Sequence, residues 1–273
     1  MYPDLKVRWM SVLFAVAMGL VLGLPRHAAA QQGAAIPLPD EDRKALDTYL
    51  GAGVVGKAVA GKPLTEPLKW APLENSTAHY QMTSGDQKGQ LVDHKFSGLE
   101  RDPSGATWKV EIGKTDLLYM RKTESGDVEF MSHPELDTGL NTAYQPPAPL
   151  LVKGMKPGET VKKHFDVKVY YLNEPDKIKH SGSLDLALTY VGAYEVTTPA
   201  GKFEAALIKS DYTGKVGPAK VDDVQYRLFV EGVGVVAMIE DKSVSAFLVY
   251  NDYTKIGKVL AEIPKQAPTR PAP

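Results

Sequence analysis

HFDVKVYY, residues 164–171, alternates without a slip: Phe165, Val167, Val169 and Tyr171 share one face of an extended chain, and His164, Asp166 and Lys168 share the other. Successive side chains of a strand point to opposite faces, so this period of two marks a strand with one dry and one wet side. The pattern recurs: Leu184, Leu186, Leu188 and Tyr190 alternate with Ser183, Asp185 and Thr189, and Val224, Tyr226, Leu228 and Val230 alternate with Gln225 and Arg227. Thr107 to Ile112 repeats it again. Parallel sheets are covered on both faces and their strands read as continuous apolar runs, so strands with one wet face predict an antiparallel sheet.

Turn chemistry separates these segments. Asp102-Pro103-Ser104-Gly105 and Glu124-Ser125-Gly126-Asp127 are hairpin signals, as is Pro199-Ala200-Gly201, where proline fixes φ and glycine supplies the reversal before Phe203 resumes the pattern. Counting bounded segments predicts roughly nine to eleven strands. Tyr144-Gln145-Pro146-Pro147-Ala148-Pro149 divides them into two groups, read as a crossover within one curved sheet, with two domains as the alternative. Asp40, with Glu41 and Asp42 in the first turn and Leu46, Tyr49 and Leu50 at helical spacing, starts a short helix that Gly51 ends. From Val244 to Ile263 the periodicity suits strand or helix, and the reading is a strand followed by a short helix from about Lys255.

The predicted organisation is therefore a signal peptide over 1–30, an N-terminal arm and short helix over 31–74, an antiparallel β domain over 75–262 and a Pro-rich disordered tail over 263–273. The fold class is mainly β: a large curved antiparallel sheet, half-barrel-like. Lys6 and Arg8 precede an apolar run from Trp9 to Leu24, and Ala28-Ala29-Ala30 supplies the small residues of a cleavage site. The run is shorter than the roughly 20 residues of a spanning helix, so cleavage is expected, with a retained anchor as the alternative. The expected location is periplasmic or secreted, with no stable membrane span after cleavage.

The chain has no cysteine, which excludes disulfides, thiolate chemistry and the acylated cysteine of a lipoprotein. Its formal net charge of −1, with scattered Lys and Arg, argues against nucleic acid as a partner. Gly51-Ala52-Gly53-Val54-Val55-Gly56 matches a dinucleotide fingerprint in letters, but a helix precedes it where a strand is required. His164 and Asp166 point the same way on a surface strand, whereas His94, between Val92 and Phe96, falls on an apolar face and is expected to bond a backbone carbonyl. Asp222 and Asp223, adjacent on a strand, diverge to opposite faces. No G-x-S-x-G or S-x-x-K motif occurs, so no catalytic residue, metal ligand or cofactor is assigned.

Three motifs in order carry a family resemblance: Leu150 to Thr160 leading into a strand, Val196 to Phe203 linking two strands, and Glu231-Gly232-Val233-Gly234-Val235-Val236 closing a third pair. Over about residues 150 to 242 the chain resembles the exported β-sheet proteins grouped under the label DUF3108. That resemblance implies a curved antiparallel sheet beside one or more helices, similar in outline to half-barrel lipoprotein carriers, and it brings no catalytic residues. The expected function is non-enzymatic: binding a lipid or other amphiphile, or a cell-envelope component, on the curved sheet. The alternatives are a module recruiting another envelope protein, and a hydrolase in which His94 would meet a second histidine and a carboxylate in one pocket. Tyr80, Tyr170, Tyr171, Tyr190, Tyr226 and Tyr250 would line any cavity, enclosed by Trp108, Phe165, Leu186 and Tyr226.

Overall fold

The computed structural model describes residues 34–100, 102, 105–246 and 250–266. The expected signal peptide and residues 267–273 of the tail lie outside them. Helix α1 (Asp40–Leu50) leads into β1 (Val55–Val59), a single helical turn α2 (Pro67–Trp70), and then an unbroken series of strands. These are β2 (Ser76–Met82), β3 (Leu91–Gly98), β4 (Trp108–Ile112), β5 (Asp116–Lys122), β6 (Val128–Glu135), β7 (Leu140–Leu151) and β8 (Thr160–Tyr171). The series continues with β9 (Glu174–Thr198), β10 (Gly201–Val216), β11 (Ala219–Val230), β12 (Gly234–Ala246) and β13 (Tyr250–Gln266).

From β2 to β13 each strand pairs antiparallel with the next, and β13 returns to pair with β2 through Lys258↔Met82, Val259↔Gln81 and Leu260↔Tyr80. The sheet is thus a closed twelve-strand up-and-down barrel rather than the expected half-barrel. Closure gives β2 and β13 the partners that an open sheet would leave to solvent. β9 is long enough to pair β8 over its first part and β1 over its last, through Tyr194 and Val196.

Two further expectations are corrected. The helix expected from Lys255 is strand β13, because that segment is held in ladders on both sides, by β12 and by β2. The proline run expected to divide the sheet lies inside β7. Its pairing with β8 stops at Gln145↔Asp166, and its pairing with β6 skips to Ala148↔Phe130, so Pro146 and Pro147 fall in an irregularity where no ladder donor is required.

Apolar side chains form two layers. Inside the barrel, Phe165, Val167, Leu186, Leu188, Ile208 and Phe229 pack together with the plug residues Leu64, Trp70 and Leu73. The plug is the segment between β1 and β2, which lies across one end. The Leu64 N–H donates to the Met155 carbonyl (2.8 Å), and the Gly232 N–H to the Lys69 carbonyl (2.6 Å). Outside, Leu46 and Leu50 of α1 cover Leu207, Tyr226, Leu228, Ile239 and Val259.

Gly257 permits this close seat, since a Cβ there would stand 2.3 Å from the Tyr49 carbonyl oxygen. The Tyr49 hydroxyl donates to Asp241 Oδ2 (2.7 Å). Y49F, which removes one partly exposed hydrogen bond to a carboxylate, is expected to cost about 1 kcal/mol in urea unfolding with an unchanged m-value.

Away from α1 the outer wall carries charged pairs. They include His164–Asp185 (2.7 Å), His79–Asp93 (2.6 Å), Lys109–Glu111 (2.7 Å) and Arg121–Glu129 (3.0 Å).

Candidate functional site

Roughly eight strands close around an interior that side chains fill, and barrels of about 16 leave a channel. A twelve-strand barrel falls between, and space remains here. Beneath the plug lies a cavity of about 440 Å³, walled by Phe96, Val110, Ile112, Leu118, Met120 and Phe130 among others. Each of these occupies the lumen-facing register of its strand. Ser76, Glu74, Ile263 and Pro264 line the cavity near the plugged end.

Further polar groups line it: Lys69 of the plug, His94 of β3 and Arg227 of β11. Arg227, Met238, Lys258 and Met82 are successive register partners on β11, β12, β13 and β2, so they share one rung and one face. Arg227 lines the cavity, with its guanidinium 5.5 Å from the centre of the Phe130 ring and a short hydrogen bond to Gln225 Oε1. His94, also in the lining, is 6 % exposed and stacks beside Tyr80 at 4.5 Å between ring centres. Its Nε2 lies 2.8 Å from Lys258 Nζ, which is itself 4 % exposed.

Burial, reinforced by the charges of Lys258 and Arg227, holds the His94 imidazolium pKa well below its usual range. Burial also pushes Lys258 down to about 8, with Arg227 acting in the same sense and Glu240 and Asp116 opposing. His94 is therefore a neutral acceptor for a lysine that is mostly charged at neutral pH. This corrects the expectation of a carbonyl partner.

Beyond the rung of Arg227 and Lys258, away from the plug, the lumen turns polar. Asp223 is 8 % exposed and its Oδ2 accepts from Gln225 Nε2 (2.6 Å). Burial and then the neighbouring Glu240 push its carboxyl up to about 7. Asp116, His133 and Glu135 converge on the facing wall, with ligating atoms all within 4.8 Å of one another. His133 Nε2 sits 3.2 Å from Asp116 Oδ1, and that hydrogen bond holds the Asp116 carboxyl below its usual range.

The expected residues distribute unevenly over this geometry. Trp108, Phe165, Leu186 and Tyr190 belong to the interior, and Tyr80 lines the cavity. Tyr226 does not: it faces outward beneath α1, as do Val224 and Leu228, so it encloses no lumen volume. The face of β11 expected to be wet, with Gln225 and Arg227, is the inner one. His94 meets Lys258 and Arg227, and the cavity lining contains no second histidine. His164 stays on the outer wall with Asp185, and Asp222 and Asp223 diverge, with Asp222 paired to Lys220 at 2.7 Å. Gly51 closes α1 and is followed by strand β1, the reverse of the order a dinucleotide site requires.

Arg227 in the lining and Lys258 against His94 were not expected. The register of β11, β12 and β13 sets them on one rung, and the closure of β13 on β2 brings Lys258 to His94.

No family model and no curated protein matches the chain, so the motifs of residues 150 to 242 stand alone for their resemblance. Two solved structures align with it. One, from Bacteroides fragilis, is described as a "putative exported protein with YmcC-like fold"; it shares 14% identity over 70% of this chain and 96% of that chain, with a TM-score of 0.38. The other, from Parabacteroides distasonis, is described as a "putative lipoprotein"; it shares 15% identity over 72% of this chain and 98% of that chain, with a TM-score of 0.33.

Proposed function

We propose that this is a non-enzymatic exported binding protein whose barrel interior takes up one hydrophobic or amphiphilic small molecule. The observation that carries the reading is the cavity of about 440 Å³ with apolar walls and a few convergent polar groups. Its size falls within the roughly 300–1,000 Å³ of sites that enclose a single small ligand. The basic and apolar N-terminal residues support export. Charged pairs on the outer wall favour a barrel standing in water, since a membrane-spanning barrel presents an apolar band to lipid. No helix among the described residues is long and apolar enough to cross a membrane. Carriage is favoured over recruitment through a sheet edge because each barrel strand already has two neighbours.

A neutral naphthylamine dye, which fluoresces on leaving water, tests the reading. One dye per chain should bind saturably. Val110, 2 % exposed in the cavity wall, is the residue to enlarge. V110W should weaken dye binding at least tenfold while the far-ultraviolet circular dichroism stays that of a β protein. Absence of saturable binding by the wild-type chain would refute the proposal, and so would full binding by folded V110W.

A further inference from the structure

The cavity wall contains an electrostatic arrangement that the barrel itself leaves incomplete. Among the described residues, no carboxylate oxygen lies within 4.0 Å of Arg227 or of Lys258; the first meets Gln225 and Phe130 and the second His94 and Tyr80. Two cations on one rung of a lumen, one of them 4 % exposed, are costly unless an anion approaches them. Glu240 and Asp116 act on Lys258 only from beyond ion-pair distance.

The hydrogen bond from Lys258 has a second consequence. By occupying Nε2 it assigns the imidazole proton of His94 to Nδ1, which then has no acceptor among the described residues. Among the described residues, Arg227 uses one of its five N–H groups on Gln225. The cavity is therefore lined from two walls by groups that can donate, the guanidinium of β11 and the imidazole of β3, with the lysine charge against the imidazole. Around them Phe96, Val110, Leu118, Met120 and Phe130 offer no polar group to a ligand, and the other charged groups of the lining, Lys69 and Glu74, lie toward the plug.

We infer that the ligand of this cavity is an amphiphile with one anionic head, a carboxylate or a phosphate, seated on Arg227 and His94, with its aliphatic tail running under the plug formed by residues 63–73. Arg227 makes the direct, bidentate-capable contact. Lys258 acts through His94, fixing its tautomer and adding long-range attraction. This assignment rests on the binding reading above and goes further, because an apolar cavity alone would not distinguish an acid from an alcohol of the same length.

The test uses displacement of the neutral dye from the wild-type chain by decanoate, decyl phosphate and decanol, which share one tail. At least one of the two anions should displace the dye at a concentration tenfold or more below that of decanol, and the stronger anion identifies the head group. In R227M the preference should shrink to within threefold while decanol still competes, and R227K, which keeps a charge, should restore part of it. Equal displacement by decanol and both anions in the wild type would overturn the head-group assignment while leaving the pocket reading intact. Retention of the full preference in R227M would do the same. Failure of the dye to bind at all would instead overturn the pocket reading, and the head-group assignment with it. The wild-type comparison needs no variant, so misfolding of R227M does not leave the question open.

Discussion

D42A is expected to lower the unfolding free energy by about 3 kcal/mol, the range seen when one member of a buried charged pair is removed. Asp42 lies in the first turn of α1 and is 5 % exposed, beneath the helix rather than on its outer face. Its Oδ1 accepts two hydrogen bonds from the barrel wall, from the Tyr226 hydroxyl (2.6 Å) and from Lys209 Nζ (2.8 Å). The lysine also sits 5.1 Å from the centre of the Tyr226 ring, so the three groups form one closed cluster.

Burial by itself would lower the Lys209 pKa, but the hydrogen bonds with Asp42 and Tyr226 outweigh it and raise the pKa above its ordinary value. A group raised on folding contributes stability that is complete below its unfolded pKa and fades as the pH climbs through the folded one. The contribution is therefore intact at neutral pH. Truncation leaves the ammonium with only Glu41, 3.7 Å away and largely exposed, and strands the phenol under a helix.

D42N keeps an acceptor but no charge and should fall between the wild type and D42A. Urea unfolding measures the loss, and hydrogen exchange locates it: amides of residues 40–50 should open before those of β10 and β11. A D42A chain within 0.5 kcal/mol of the wild type would show that α1 is held by Leu46 and Leu50, by the Tyr49–Asp241 hydrogen bond and by the Arg43 guanidinium donating to the Val55 and Gly56 carbonyls of β1, without the Asp42 cluster.

How much of this was legible depended on what lay outside each strand. β8 and β9 were read correctly because their outer faces are bare: Phe165, Val167, Leu184 and Leu186 point to the lumen, and His164 and Asp185 to water. β11 defeated the same rule. α1 covers its outside, so its more apolar face, Val224, Tyr226 and Leu228, is buried outward, and the face with Gln225 and Arg227 looks into the barrel. Period two shows that a strand has two sides without saying which is inside once both can be dry.

The hairpins were likewise visible locally, since their turn residues sit between the strands they join. Closure was not. It rests on β13 meeting β2, and on Lys258 finding His94 across 164 positions of sequence. The flank of Val92 and Phe96 marked His94 as an interior residue, but nothing near it in the chain announces an ammonium partner. Lys258, between Gly257 and Val259, looks locally like any strand lysine.

Asp223 provides the second large effect, of opposite sign. It occupies the lumen face of β11 two residues from Gln225, whose amide donates to Oδ2, while Oδ1 has no partner among the described residues. Burial is the larger influence on its carboxyl and Glu240 the next; Gln225, Lys242 and Arg227 oppose them without prevailing, and the result is a pKa of about 7. The unfolded chain titrates this group near its ordinary value of about 3.9. Folding therefore favours the protonated form.

The stability present below about pH 4 is lost as the pH rises through 7, and by pH 8 the native state carries the cost of an ionised, poorly solvated carboxylate. Each unit of difference corresponds to about 1.4 kcal/mol, so the full gap is on the order of 4 kcal/mol before relaxation of the lumen reduces it. D223N removes the ionisation and keeps an acceptor for Gln225. The variant should match the wild type at pH 4 to within about 1 kcal/mol and exceed it by roughly 2 to 3 kcal/mol at pH 8.

Taking the difference between the two chains at each pH cancels every other titrating group that the substitution leaves untouched. The charge of Glu240 adds to the burial that raises the Asp223 carboxyl, and it sets where the midpoint of the difference curve falls without changing the curve's direction. A difference that stays constant from pH 4 to pH 8 would mean that Asp223 is ionised in the folded barrel throughout. The charges of Lys242 and Arg227 would then compensate it, and the lumen would be better hydrated than its burial indicates.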